Sequence, residues 1–437
     1  MANLSGLFKN INNLPPRVVN SGRVFMLRVF GMALSYAAII YISNVYGAEA
    51  FGRYSLSVTL WQLLILIFSL GIPQAILKLT ADTNSYDEAP QSNYLSKASK
   101  TLLVSASVCS LALFFLKEWL AISVFNDPNL IFYFKYISLF VILGIFHSFL
   151  TEFLRGKQDF IKYGLFVYVL PYLLLLAFMY LFKISGYPEH STILSFLLAF
   201  GFLAIILLFY FPRSRAQKDY QYKKLFALSF PMLFSAAFMF ISNWTDIFML
   251  GAMVSKKDVG IYNAAYKLAT IALIVINAVN TVLAPKISEL YGKNQLRSIG
   301  KEVQRGTRLI VIFTVPIVVV LILFRKSLLG FFGGEFVDSG QEVLIVVSLG
   351  LLFNALSGSV GQVLNMTQHQ KELRNFTIIS AISNALLNYF LIKNFGIIGA
   401  AIASLMSNML LNILCVIFVY KKYKILTIYR FWRIYGN

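Results

Sequence analysis

Apolar stretches long enough to cross a bilayer recur along the whole of this chain, and its positive charge gathers in alternate gaps between them. A hydrocarbon core about 30 Å thick takes about 20 apolar residues per helical crossing. Runs of that kind lie at 23–46, 52–80, 93–117, 129–152, 161–183, 190–212, 225–250, 259–287, 304–326, 341–364, 374–393 and 397–421. They lack the short polar/apolar alternation of a barrel, and in lipid every peptide group must be bonded internally, so helices are expected. The expected fold is an all-α membrane protein with twelve transmembrane helices. With 58% apolar and 13% charged residues and a mean hydropathy of +0.73, there is too little polar surface to solvate a water-soluble body of 437 residues.

The distribution of Lys and Arg sets the orientation. Of 38, 28 fall on the side of the N-terminus, nine on the other, and Lys267 lies within a span. Both termini are therefore expected in the cytoplasm. The net charge of +20 is explained by topology and anionic headgroups before any nucleic-acid partner, because most of it flanks helix ends in short loops. Residues 1–22 lack the apolar core of a cleavable signal peptide, so the first span is expected to be retained. Cys109 and Cys415 both fall inside spans with no metal or redox spacing, and no cofactor, metal site or catalytic constellation is expected. The sequons at Asn3, Asn243, Asn365 and Asn375 lie in spans or on the cytoplasmic side and read as accidental.

Landmarks recur between the two halves. Glu49-Ala50-Phe51-Gly52-Arg53-Tyr54 is echoed by Lys257-Asp258-Val259-Gly260-Ile261-Tyr262 at an offset of 208, and Gly186 by Gly396 at an offset of 210. Six spans per half make the repeat parallel, an arrangement of transporters whose site lies between two lobes. The expected organisation is a six-helix lobe at 1–212, a basic linker at 213–224 and a six-helix lobe with a short basic tail at 225–437, around a central cavity.

The run Gly47 to Ser55, its echo Val259 to Tyr266, Asp246 at the end of span 7 and Phe395 to Ala401 opening span 12 carry a family likeness. Together they resemble the polysaccharide-exporter branch of the superfamily that also holds the multidrug and toxin extrusion transporters and the lipid II flippases. The resemblance covers nearly the whole chain. It implies a flippase in the bacterial inner membrane, moving a polyprenyl-pyrophosphate-linked oligosaccharide such as an O-antigen or capsule repeat unit from the inner to the outer leaflet by alternating access. Membrane lipids and the glycan polymerase or ligase machinery are the other implied partners. Lipid II flippases usually carry two further helices that form a lipid groove, and this sequence shows twelve spans.

Ionisable groups at membrane depth are costly and mark candidate sites. Lys267 lies about 10 Å into span 8, Lys135 is similarly deep in span 4, and Arg53 opens span 2, where the helix dipole favours an anion. Arg23, Arg28 and Lys78 form a second cationic set towards the inner face. A pyrophosphate diester would meet cations at both ends of such a route. Snorkelling to headgroups is the competing explanation for the residues near helix ends, and an ion pair with Asp246 is the competing explanation for Lys267. Asp246 and Glu152 are the interior acids and the candidates for coupling or gating. His147 reads either as a proton shuttle or as a hydrogen-bonded core residue. Asn277, Asn280, Asn384, Asn388, Asn408 and Asn412 would either bond sugar hydroxyls or tie helices together. Bends are expected at Pro73 with Gly71, and at Pro171, Pro231 and Pro316.

A cation-coupled drug antiporter of the same fold is the alternative function, but it calls for several buried carboxylates, and the interior excess here is cationic. A membrane-bound glycan polymerase or ligase would present catalytic groups in a sizeable outer loop, and no outer gap exceeds about fifteen residues. The charge distribution makes a direct prediction. Reporters active on only one side of the membrane, fused at residues 220 and 256, give opposite signals, and matching signals would contradict the orientation.

Overall fold

The computed structural model describes residues 16–83, 91–186, 190–211 and 222–429; most of the basic linker expected at 213–224 falls outside them. Among these residues all regular structure is helical, and nine helices are long and apolar enough to cross a membrane. The chain is a multi-pass integral membrane protein. Its contacts divide it into two compact units: one comprises residues up to Tyr46 with Ser57–Ala237, the other Gly47–Leu56 with residues from Phe238 onwards.

The first unit contains α1 (Pro16–Phe68) except for Gly47–Leu56, α2 (Ile72–Thr83), α3 (Gln91–Glu118), α4 (Leu130–Gly156), α5 (Phe160–Gly164), α6 (Leu170–Ile184), α7 (Ser191–Phe209) and the first part of α8 (Tyr222–Met253). α4 packs against α2, α3 and α7. Gly144 on α4 leaves the space that the Trp61 indole fills, and Phe196 and Phe200 of α7 meet that indole edge-on at 6.0 and 6.5 Å. The bend expected at Gly71 and Pro73 is a full break. Leu70 and Gly71 adopt φ of 55° and 70°, and α2 restarts at Ile72. The Ser105 hydroxyl donates to the Phe68 carbonyl at 2.7 Å, supplying a partner for a carbonyl at the helix end.

The second unit contains the rest of α8, α9 (Lys256–Ala269), α10 (Leu273–Gly292), α11 (Leu296–Leu323), α12 (Arg325–Gly330), α13 (Val337–Ser357), α14 (Val360–Met366) and α15 (Gln370–Tyr423). α15 is two rods broken at Gly396 (φ 57°, ψ −134°), as α1 is broken at Gly47 (φ 81°, ψ 174°). Both breaks fall where the sequence separates adjacent spans. The span expected at 341–364 is shorter than its apolar run. α13 stops at Ser357 because Gly358 takes φ 74°, and a Cβ there would strike the Thr307 hydroxyl and the Thr427 carbonyl.

The internal echo has a structural counterpart. A Cβ on Gly52 would collide with the Lys256 carbonyl, and a Cβ on Gly260 would collide with the Ala48 carbonyl; each would stand 3.0 Å from the other glycine's nitrogen. Residues 48 and 52 are offset from 256 and 260 by 208, so the contact is self-complementary in the manner of a two-fold interface. Unusual backbone conformations repeat as well. Gln158 and Gln368 (φ 60° and 65°) and Gly186 and Gly396 (φ 73° and 57°) are both offset by 210.

The seam predicts that Gly52→Ala and Gly260→Ala each destabilise the protein by about 1–3 kcal/mol through overpacking. Gly361→Ala, where a Cβ meets open space, is neutral. Thermal unfolding of the purified protein in detergent separates them, and equal midpoints for all three variants would contradict the contact.

Candidate functional site

The deepest acid of the second unit is Asp246, seven residues before the end of α8 and 7% exposed. Four neutral donors surround it. The Tyr262 hydroxyl of α9 donates to Oδ2 at 2.7 Å, and the Ser404 hydroxyl of the second α15 rod donates to the same oxygen. Oδ1 accepts from the side-chain amides of Asn388 at 2.6 Å and Asn384 at 3.3 Å on the first rod. A carboxylate offers about four lone-pair sites, and all are used. Asn384 and Asn388 reach one acceptor because they stand at i, i+4 on one helix face.

The Asn388 nitrogen also donates to Asn384 Oδ1 at 3.1 Å, which fixes the orientation of its amide. Its Oδ1 is then a buried acceptor without a partner, beside Asp246. Among the described residues no ion pair involves Asp246, and its partners do not include Lys267. The expected ion-pair alternative is thereby replaced by a shell of hydroxyls and amides.

A cavity of about 280 Å³ adjoins this shell, within the second unit. Asn384 and Ser404 belong both to its wall and to the Asp246 shell; Asn354, Thr377, Ser380 and Asn408 supply more of its polar lining. The interior asparagines therefore divide in role. Asn384 and Asn388 hold the acid, while Asn412 bonds Asn408 within one helix at 2.9 Å.

The candidate cations have varied surroundings. Lys267 is half-buried, with its ammonium 6.0 Å from the centre of the Trp244 ring. Arg53 pairs with Glu49 one turn earlier. The rod after Gly47 begins earlier than the expected residue 52, so Arg53 occupies its second turn. An anion already sits at that helix start: Glu335 Oε1 accepts from the Ala48 N–H at 2.6 Å, and Lys257 lies 3.6 Å from the same carboxylate. Lys135 is exposed near the Tyr136 ring, and Arg28 is exposed with its guanidinium 6.0 Å from the Tyr168 ring. Arg23 and Lys78 are exposed. Glu152 is half-buried and pairs with Arg155 at 3.3 Å.

His147 has a structural task. α6 is preceded by a π-helical turn at Leu165–Val169, in which an N–H reaches back five residues. Pro171 has no N–H, so the Phe166 carbonyl loses its natural donor. His147 Nε2 lies 3.2 Å from that oxygen and replaces it. Asp246 was legible in the sequence as an interior acid, whereas Tyr262 and Ser404 were not. The available signal was the polar stripe Thr377, Ser380, Asn384 and Asn388, which repeats at helical spacing opposite Ser404 and Ser407.

Residues 18–291 match the family described as polysaccharide biosynthesis protein, and residues 231–390 match the family MatE. The chain therefore belongs to the polysaccharide biosynthesis protein family, in the exporter branch of the superfamily shared with multidrug extrusion transporters and lipid II flippases. It is 22% identical to a probable low-salt glycan biosynthesis flippase, Agl15 of Haloferax volcanii, over 89% of this chain and 80% of that protein. In fold it is similar to the lipid II flippase MurJ in an inward closed conformation (TM-score 0.76, 15% identity, 92% of this chain and 87% of that one). A multidrug resistance MATE family transporter in an inward-facing conformation matches with TM-score 0.75 at 12% identity, over 91% and 98% of the two chains.

His147→Ala leaves a buried carbonyl without a donor and lowers stability by about 1–3 kcal/mol. His147→Gln, which keeps an N–H, loses less. Equal unfolding midpoints for wild type and His147→Ala would remove this role.

Proposed function

We propose that the protein is a flippase, not an enzyme, that moves a polyprenyl-pyrophosphate-linked oligosaccharide from the inner to the outer leaflet by alternating access. In this reading two six-helix lobes, 1–212 and 225–437, flank a central path, with both termini in the cytoplasm. The membrane is a bacterial inner membrane or its archaeal equivalent, since the relatives include an archaeal protein. One observation carries the proposal. In a chain of this family the sequence places six Lys and Arg candidates within or at the ends of its spans against the candidate acids Asp246 and Glu152, an excess that suits a phosphate-bearing cargo.

Lys267, Arg53 and Lys135 would meet the pyrophosphate at one end of the route, and Arg23, Arg28 and Lys78 at the other. Asp246 is the coupling site. A small cation there would take the place of one donor on the carboxylate and would also find the open Asn388 Oδ1 and the Ser404 and Tyr262 oxygens, a set of hard oxygen ligands. Glu152, already engaged by Arg155, is the weaker gating candidate. The MatE match supports a second reading, a cation-coupled drug antiporter, which would use the same acid but take a cationic cargo.

Surface glycan and drug sensitivity, measured in a strain that depends on this chain for its glycan, test the choice. Lys267→Ala abolishes glycan export at normal protein level, Lys267→Arg retains part of it, and sensitivity to cationic drugs is unchanged in both. Full export by Lys267→Ala would overturn its role. Unchanged glycan with lost drug resistance would favour the antiporter.

A further inference from the structure

We propose that the coupling cation reaches Asp246 through the interior of the second unit itself, along a polar seam between the two rods of α15 that leads from the membrane side where Lys371 and Arg374 stand. The proposal rests on the reading that Asp246 holds that cation. The ligand is a small monovalent cation, either a proton or an alkali-metal ion.

The first rod carries Thr377, Ser380, Asn384 and Asn388 at i, i+3, i+7 and i+11, one face of a helix over about 16 Å at 1.5 Å per residue. Thr377 lies seven residues from the start of the rod at Gln370, beside the basic side; Asn388 lies at the Asp246 end. The second rod faces it with Ser404, Ser407 and Asn408. The two stripes are joined: Ser380 donates to the Ser407 carbonyl at 2.7 Å, and the Asn384 amide reaches the Ser407 hydroxyl at 3.3 Å. Ser380, Ser407 and Asn384 are thus hydrogen-bonded neighbours of the carboxylate, while Thr377 donates to the Leu373 carbonyl of its own rod.

Polar residues that serve only to tie membrane helices close on one another and leave no space. Here the seam borders a cavity of about 280 Å³ that reaches from Thr377 to Asn384 and Ser404. At about 30 Å³ per liquid water that is room for a handful of waters, which need two to four polar partners each. Asn354 of α13 also faces the cavity, is half-buried, and its amide makes no hydrogen bond among the described residues. An amide left open in a hydrocarbon setting is costly unless water reaches it. Tyr266, Val347 and several leucines belong to the rest of the wall, so the cavity is polar along the α15 seam and at Asn354 and mostly apolar elsewhere.

The test uses the full chain in right-side-out and inverted vesicles. Thr377→Cys, Asn408→Cys and, as a lipid-facing control on the same rod as Thr377, Ile382→Cys are treated with methanethiosulfonate ethyltrimethylammonium from each side. The buried native Cys109 and Cys415 set the background. Expected is modification of Thr377→Cys and Asn408→Cys at least ten-fold faster than Ile382→Cys, and only from the basic side. In parallel, Asn408→Leu slows the response of transport to a sodium jump or to a pH jump, whichever drives the wild type, by at least ten-fold. Asp246→Asn abolishes that response. If Asp246→Asn abolishes it but the cysteines react no faster than the control, or react from the opposite side, the route is wrong and the coupling role stands. If Asp246→Asn leaves the response intact, the coupling role fails and the route fails with it.

Discussion

Hydrocarbon offers no partner to a peptide group or a side-chain dipole, and that one constraint accounts for most of what distinguishes this structure. It forces every described element into a helix. It also requires that any interruption be repaired locally. Where Pro171 withdraws an N–H, His147 supplies one to Phe166; where α1 breaks after Phe68, Ser105 reaches its carbonyl. Asp246 obeys the same rule at higher stakes, with four donors gathered from three helices around a single carboxylate. Removing any one leaves a buried lone pair open, so the shell fixes the relative placement of α8, α9 and both rods of α15.

Close packing follows from the same solvent. Lipid provides no hydrophobic drive between helices, so association depends on contact distance, and glycine allows the closest approach. The Gly52 and Gly260 seam is the clearest case, because each glycine lies against the backbone of the other's helix. The duplicated motif thus does more than mark ancestry. Its two copies are the two halves of one contact, and that explains why residues 47–56 group with the second unit and not with the helices that flank them in sequence.

Much of this was legible in the chain. Apolar run length located most of the helices, although the expected 52–80 span is broken at Leu70 and Gly71 and the helix expected from 304 begins at Leu296; the glycines at 47 and 396 marked two of the breaks. The repeat offset of 208 was readable as a pattern, although nothing in it said that the copies touch. Gly358 ends α13 inside an apolar run, and hydropathy does not register a backbone conformation imposed by Thr307 and Thr427. The site was half legible. Asp246, Asn384 and Asn388 stood out as polar groups at depth, but Tyr262 sits in a motif that reads as helix entry, and Ser404 is one small residue among several. For Lys267 the sequence left a pairing with Asp246 open, and among the described residues no ion pair joins the two. Neutral donors from α15, far away in sequence, reach Asp246 instead.

The proposed function is a transporter whose cargo would be anionic at one end and whose working stroke would be tied to the buried Asp246 carboxylate. The direct measurement is leaflet accessibility in proteoliposomes containing the purified chain and a polyprenyl-pyrophosphate-linked oligosaccharide. The sugar is read by periodate oxidation from outside while a cation gradient is imposed. The account predicts that the oxidised fraction rises above the protein-free level with wild type, that the rise depends on the gradient, and that Asp246→Asn removes the gradient dependence. An oxidised fraction equal to that of empty liposomes, or one unchanged by Asp246→Asn, would contradict it.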